Sequence, residues 1–338
     1  MDMAKDHTEL TAAEISNLWT SYLNDSMAVC GIRYYLRHID DDDIKRVLEY
    51  ALSISEEHVR RVTKLLKAED YTIPFGFTEE DVNLEAPRLF TDTFYLLYIL
   101  NMGKFGLSSY SLALSLSVRE DIVEYYTDCL EETTKLHNDS KEVAIRKGMM
   151  IPPPVIPKPA GVDHVERQSF LRGYFGHRRP LLGVEIANLH YNSERNALGQ
   201  AVIIGFSQVA KNKEVRSYFE RGRDLSKKHY QVFNSLLEEE FLSGTLSLAP
   251  EVTDSKISPF SDKLMMYHIA ALSASGIGQY GISMSSSPRH DLGVLYSRLT
   301  AEILHYSEDG ANIMIDHGWM EQPPKASDRE NLARKKTK

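Results

Sequence analysis

Residues 10–18 read LTAAEISNL, and residues 181–189 read LLGVEIANL. At a displacement of 171 positions Leu10, Glu14, Ile15, Asn17 and Leu18 meet Leu181, Glu185, Ile186, Asn188 and Leu189, and Glu49 and His58 meet Glu220 and His229. At a displacement of 170 the correspondence carries on. Phe90, Asp92, Gly106, Tyr110, Arg119, Asp121, Tyr126, Glu132, Asp139 and Gly148 fall on Phe260, Asp262, Gly276, Tyr280, Arg289, Asp291, Tyr296, Glu302, Asp309 and Gly318. The period is far above solenoid length, so each copy is expected to be a full domain with its own core. The first copy is assigned to 9–150 and the second to 181–320. A proline-rich linker, 151–180, separates them, and a polar basic tail, 321–338, expected to fray, follows.

Apolar residues recur at three- and four-residue steps over long stretches, the period of an amphipathic helix. Ile15, Leu18, Tyr22, Asp25, Val29, Ile32, Leu36 and Ile39 form one row, and Ile44, Val47, Ala51, Ile54, His58, Val62 and Leu65 the next. About twenty residues of poor periodicity, Glu69 to Arg88, then hold Pro74, Gly76 and Pro87. A third helix is expected over roughly 89–117 and a fourth from the turn at Arg119–Asp121 to Gly148, a C-cap glycine. The second copy repeats the plan at roughly 181–210, 212–241, 259–287 and 289–317. Short connections make antiparallel neighbours, whereas a long middle connection lets the second and third helices run parallel. The fold class is therefore all-α: two tandem ferritin-like four-helix bundles, each with a long crossover between helices 2 and 3.

The formal charge of −9 over 338 residues argues against general nucleic-acid binding. No apolar run reaches spanning length and the start MDMAKDH has no hydrophobic signal core, so neither membrane insertion nor export is expected and the assignment is cytoplasmic. Cys30 and Cys129 face Ala201 and Leu299 in the other copy, which makes them small buried hydrophobes rather than a disulfide.

His58 and His229 interrupt core rows. Counting along the helices from each turn brings Asp25 and Glu132 to the level of His58, and Asn196 and Glu302, with His305 close by, to that of His229. Charged groups are rarely buried unless paired or bound to metal. Asp25, His58, Glu132, Asn196, His229, Glu302 and His305 are thus the candidate ligands of a divalent iron, manganese or zinc ion. A buried His–Glu pair that satisfies itself by hydrogen bonds is the competing reading. A di-iron bundle needs Glu-x-x-His on two helices, but Ser55 and Ser226 stand three residues before the two histidines. Asp92 and Asp262 are expected to cap the third helices, Arg119-x-Asp121 and Arg289-x-Asp291 to make helix-start contacts, and Tyr110 and Tyr280 to be core aromatics with bonded hydroxyls. Asp139 and Asp309 are expected in a second polar layer or in salt bridges to the linker. Phe170 to Phe175 is expected to dock on a bundle. No nucleophile elbow, P-loop or dinucleotide fingerprint occurs.

The strings LTAAEISNLWTSYLNDSMAVC, FTEEDVNLEAPRLFTDTF, AVIIGFSQVAKNKEVR, SPFSDKLMMYH and SEDGANIMIDHGWMEQPP resemble a bacterial family known as domain of unknown function 3231, common in Bacillus-like spore formers and often tandem. The resemblance runs from about residue 9 to 330. It implies a ferritin-like bundle with a more distant similarity to spore coat protein F-type proteins, and a sporulation or stress setting. It implies no activity and no catalytic residues. The expected function is structural or protective. The alternatives are a metal-binding oxidoreductase using the mid-bundle residues and a bundle that binds an apolar ligand. The partners expected are further copies of the chain or spore-associated proteins.

Overall fold

The structure is a computed structural model that describes residues 9–174 and 178–335. The opening MDMAKDH, Phe175 and residues 336–338 lie outside the described residues. Eight long helices stand where the hydrophobic rows predict them: α1 (Ala12–His38), α2 (Asp42–Ala68), α3 (Asp92–Leu116), α4 (Glu120–Arg146), α5 (Gly183–Val209), α6 (Lys213–Glu238), α7 (Asp262–Ser286) and α8 (His290–Asp316). The tail carries a short exposed helix, α9 (Arg329–Lys335).

Local chemistry sets the ends. Thr11 and Glu14 form a capping box on α1, and Asp41, Thr91, Asn212 and Ser261 accept first-turn amides of α2, α3, α6 and α7. Gly148 and Gly318 take φ of 66° and 65°. The following amides, of Met149 and Trp319, reach back to the carbonyls of Ala144 and Met314 at 2.9 and 2.8 Å, which closes both helices by the same left-handed motif.

Three contacts fix the direction of the helices in the first copy. Glu14, at the start of α1, accepts the amides of Val118 and Arg119 at the α3–α4 turn, 3.0 and 2.9 Å. Asp92, at the start of α3, accepts the amide of Asp41 at the start of α2, 3.0 Å. Arg119 pairs with Glu69 at the end of α2, 2.8 Å. Helices α2 and α3 therefore begin at one end and finish at the other, as a crossover requires. Asp262 binds the amides of Lys211 and Asn212 in the same way. Asp92 and Asp262 thus cap the neighbouring helix junction, whereas the caps of their own helices are Thr91 and Ser261.

The expectation that each copy closes its own core is corrected by the packing. The largest cluster of buried side chains runs through both copies, with Tyr34, Phe94 and Tyr98 from the first and Phe206, Phe219 and Phe260 from the second. Two smaller clusters, each within one copy, lie around Leu18 and Tyr125 and around Leu189 and Tyr296. The joint core holds Tyr34 edge-on to Phe260 at 5.3 Å and Tyr98 edge-on to His268 at 5.4 Å. Phe90 lies where Gly205 leaves room: a Cβ there would come within 2.6 Å of its ring.

The two crossovers clasp each other by equivalent residues. Val82 bridges to Phe260 and Phe90 to Val252, both antiparallel. Asp81 accepts the Ser261 hydroxyl at 2.6 Å, and Glu251 accepts the Thr91 hydroxyl. Each partner contributes the same patch, the self-complementary pattern of a two-fold dimer, here inside one chain. Beyond α8, Glu321 accepts the amides of Phe75 and Gly76 in the first crossover at 2.9 Å each. In the linker, Arg179 stacks its guanidinium on Phe170 at 4.3 Å and pairs with Glu185 at 2.7 Å, so the Phe170 end of the predicted docking stretch rests on the second copy.

Candidate functional site: a histidine cluster in each copy

His58 is buried at mid-height of α2, with its two ring nitrogens taken from opposite sides. Nε2 lies 2.8 Å from Glu132 Oε2 on α4, and Nδ1 lies 3.4 Å from Asp25 Oδ1 on α1. Tyr110 of α3 brings its hydroxyl 3.4 Å from Asp25 Oδ2 and 3.4 Å from the same Nδ1. Burial disfavours a charged imidazole. The Asp25 charge, with hydrogen bonds to Asp25, Cys129 and Glu132, outweighs it and pushes the His58 pKa up to about 12. The ring is an imidazolium between two carboxylates.

The second copy keeps the frame and changes the charge. His229 Nε2 lies 2.9 Å from Glu302 Oε2 and Nδ1 lies 3.0 Å from the Tyr280 hydroxyl. Asn196 Nδ2 donates to that hydroxyl at 2.8 Å. Glu302 is also gripped by Lys228 through both oxygens, at 2.7 and 2.8 Å. Burial opposes its charge, but the bonds to Lys228 and His229 prevail and hold its pKa below the usual carboxylate range. Burial in turn holds the His229 pKa below its ordinary value, so the ring is neutral.

The donor–acceptor inventory assigns every proton in this chain. The Asn196 amide donates to the Tyr280 oxygen, the Tyr280 hydroxyl donates to His229 Nδ1, and His229 Nε2–H donates to Glu302. In the first copy Asp25 can only accept. Tyr110 turns its hydroxyl to Asp25, and His58 supplies N–H groups on both sides. The Asp/Asn difference between the copies reverses the hydrogen-bond direction, and with Lys228 and Arg298 standing beside His229 where the first copy has Glu57 and Asp128, it sets the charge on the histidine.

Six of the seven predicted residues converge as two triads. His305 does not: it lies exposed on α8, so its place near the site is corrected. Tyr110 and Tyr280, expected as core aromatics with bonded hydroxyls, do bond through those hydroxyls, and their partners are the histidine clusters; their repetition in both copies is the clue to that part. Asp139 and Asp309 form ion pairs with Lys135, 2.5 Å, and Arg221, 2.7 Å, rather than with the linker.

The donor set does not fit a single divalent ion. Asp25 and Glu132 sit on opposite ring nitrogens of His58, so an ion bound at one nitrogen reaches only one of them. In the second copy an ammonium already occupies the open side of the carboxylate. Among the described residues no group of three or more His, Cys, Asp or Glu is arranged to hold a metal. Also among them, no helix is long and apolar enough to cross a membrane.

Similarity to known proteins extends over a little under half of the chain. A segment of 148 residues is 25% identical to the uncharacterized protein YvdQ of Bacillus subtilis (strain 168), over 42% of this chain and 86% of that protein. A solved structure of a candidate spore coat protein from Bacillus halodurans C-125 is 20% identical and covers 45% of this chain and 98% of its own, with a TM-score of 0.41. The sequence pattern of the family described as "Protein of unknown function (DUF3231)" matches residues 1–162 and again residues 169–332. The doubled pattern of Glu14, His58, Tyr110 and Glu132 is thus a doubled family unit, and the chain belongs to this family as a tandem member.

Proposed function

We propose that this is a non-catalytic helical protein with a structural or protective role, in which the mid-bundle clusters lock four helices in register. The observation that supports this reading is that both ring nitrogens of both histidines are already bonded to residues of other helices, so neither imidazole has a free nitrogen to offer a metal. A buried ionic or polar group that is fully bonded specifies one arrangement of its neighbours, since any slip leaves it unpaired. The relation to ferritin-like bundles is then one of topology without the metal chemistry. The proposed setting, implied by the family resemblance of the sequence, is sporulation or stress, in the cytoplasm of the sporulating cell. The proposed partners are further copies of the chain or spore-associated proteins.

Two measurements test this. Tag-free protein is analysed for iron, manganese and zinc beside His58→Gln and His229→Gln: the lock reading expects amounts well below one per chain that do not change in the variants. Stoichiometric metal lost in either variant would restore the metal-binding oxidoreductase reading. Immunodetection in purified spores then tests the setting; a signal confined to vegetative cells would refute it.

A further inference from the structure

A cavity of about 270 Å³ lies where the two copies meet and reaches into both bundles as far as His58 and His229. Its volume is near the lower end for small-molecule sites. The wall is mainly apolar, with Met27, Ile32 and Tyr35 of the first copy facing Leu198, Leu264 and Ile269 of the second.

Three helix-interior glycines line this space without being required by packing. A Cβ on Gly31, Gly199 or Gly276 would stand 4.0 Å from Tyr35, 3.7 Å from Ser226 or 3.8 Å from Ile303, which is ordinary contact. Gly222 is the contrast: a Cβ there would lie 2.1 Å from the Tyr306 hydroxyl oxygen. Glycine inside a helix weakens it relative to alanine. At the first three positions what glycine provides is open volume.

Two polar side chains on the wall lack the partners their chemistry asks for. Arg195 donates to the neutral Ser275 hydroxyl at 2.7 Å and the neutral Tyr191 hydroxyl at 3.3 Å, and among the described residues it has no carboxylate. Its neighbour Glu194 is engaged by Lys104 at 2.6 Å. Asn101, only 5% exposed, lines the same cavity and makes no side-chain hydrogen bond to any described residue. Buried amides are normally bonded, and a guanidinium matches a carboxylate with two parallel N–H groups.

We propose that the cavity binds an amphipathic carboxylate of the fatty-acid type, with its head at Arg195 and Asn101 and its chain along the apolar wall toward Tyr35. Among the described residues Arg195 is bonded only to neutral hydroxyls and stacked on the Tyr191 ring, while Asp25 and His58 on the same wall already pair with each other, so one guanidinium charge is left to meet one ligand carboxylate.

Isothermal titration of the delipidated full-length chain, below micelle-forming concentrations, uses laurate, dodecanol and dodecylamine. Laurate is expected to bind and raise the unfolding temperature, dodecanol to bind about tenfold more weakly, and dodecylamine more weakly still. Arg195→Met is expected to cost laurate about tenfold and leave dodecanol unchanged. Gly276→Leu and, separately, Gly199→Leu are expected to abolish laurate binding with the helical circular dichroism intact, and if one of them misfolds the other decides. No laurate binding by the wild type, dodecylamine binding as well as laurate, or equal laurate affinity in Arg195→Met and a folded glycine variant overturns the proposal.

Discussion

Asn196 can donate an N–H to a tyrosine; Asp25, in the same place of the first copy, can only accept. That exchange, together with Lys228 and Arg298 beside His229, sets the charge of the nearby histidine. Asp25→Asn is expected to reverse the hydrogen bond to Tyr110 and bring the His58 pKa down from about 12, read by NMR titration of the ring. Asn196→Asp is expected to raise that of His229. Removing one partner of a nearly buried pair also leaves the other short of bonds, so Asp25→Ala is expected to lower stability by about 3 kcal/mol in urea unfolding. The two histidines further give opposite pH dependences. Because folding raises the His58 pKa, its contribution is whole below about pH 6.5 and is lost as pH climbs toward 12. Because folding lowers the His229 pKa, its contribution is whole above about pH 6.5 and is lost as pH falls below that. The melting-temperature gap between wild type and His58→Gln should narrow from about pH 7 to pH 9, and that for His229→Gln from about pH 7 to pH 5. Gaps that move together would refute the assignment of charge.

At the scale of elements, the buried carboxylate of Glu14 holds α1 to the α3–α4 turn by closing the capping box and accepting two turn amides. Burial would raise its pKa, but bonds from Arg119, Thr11 and Val118 outweigh this and lower it. Glu14→Ala is expected to cost about 2–4 kcal/mol, measured by chemical unfolding, since a cap is lost and buried amides go unpaired. Gly205→Ala drives a methyl into the Phe90 ring and is expected to cost about 1–3 kcal/mol. The helices themselves were legible in the sequence to within a few residues, because the apolar period, the Thr, Asp and Ser caps and the closing glycines Gly148 and Gly318 are all local features. Counting residues from a turn also placed Asp25, His58 and Glu132 at one level, since helical rise is constant. It misplaced His305, because level along a helix does not say which face a residue occupies. It also overlooked the reach of Asp92 and Asp262, whose bonds run to another helix.

For the whole molecule, the crossover clasp and the joint core make the two copies a dimer in one chain. A chain opened within the exposed segment 157–166 is expected to keep its halves together through size-exclusion chromatography, and Asp81→Ala with Glu251→Ala to loosen them. Halves that separate with the clasp intact would show that the linker, not the interface, unites them. The sequence by itself determined the repeat, the eight long helices, their connection order and the common level of His58 with Glu132 and of His229 with Glu302. An apolar stripe states that a face is covered; it does not state by what. Only the tertiary structure decided that Tyr34 meets Phe260, that the copies share a core with a cavity at their junction, and that one histidine is protonated on both ring nitrogens while its counterpart keeps a single N–H. Those outcomes depend on side chains brought together from distant parts of the chain, and on the donors and acceptors that surround each buried group once they meet.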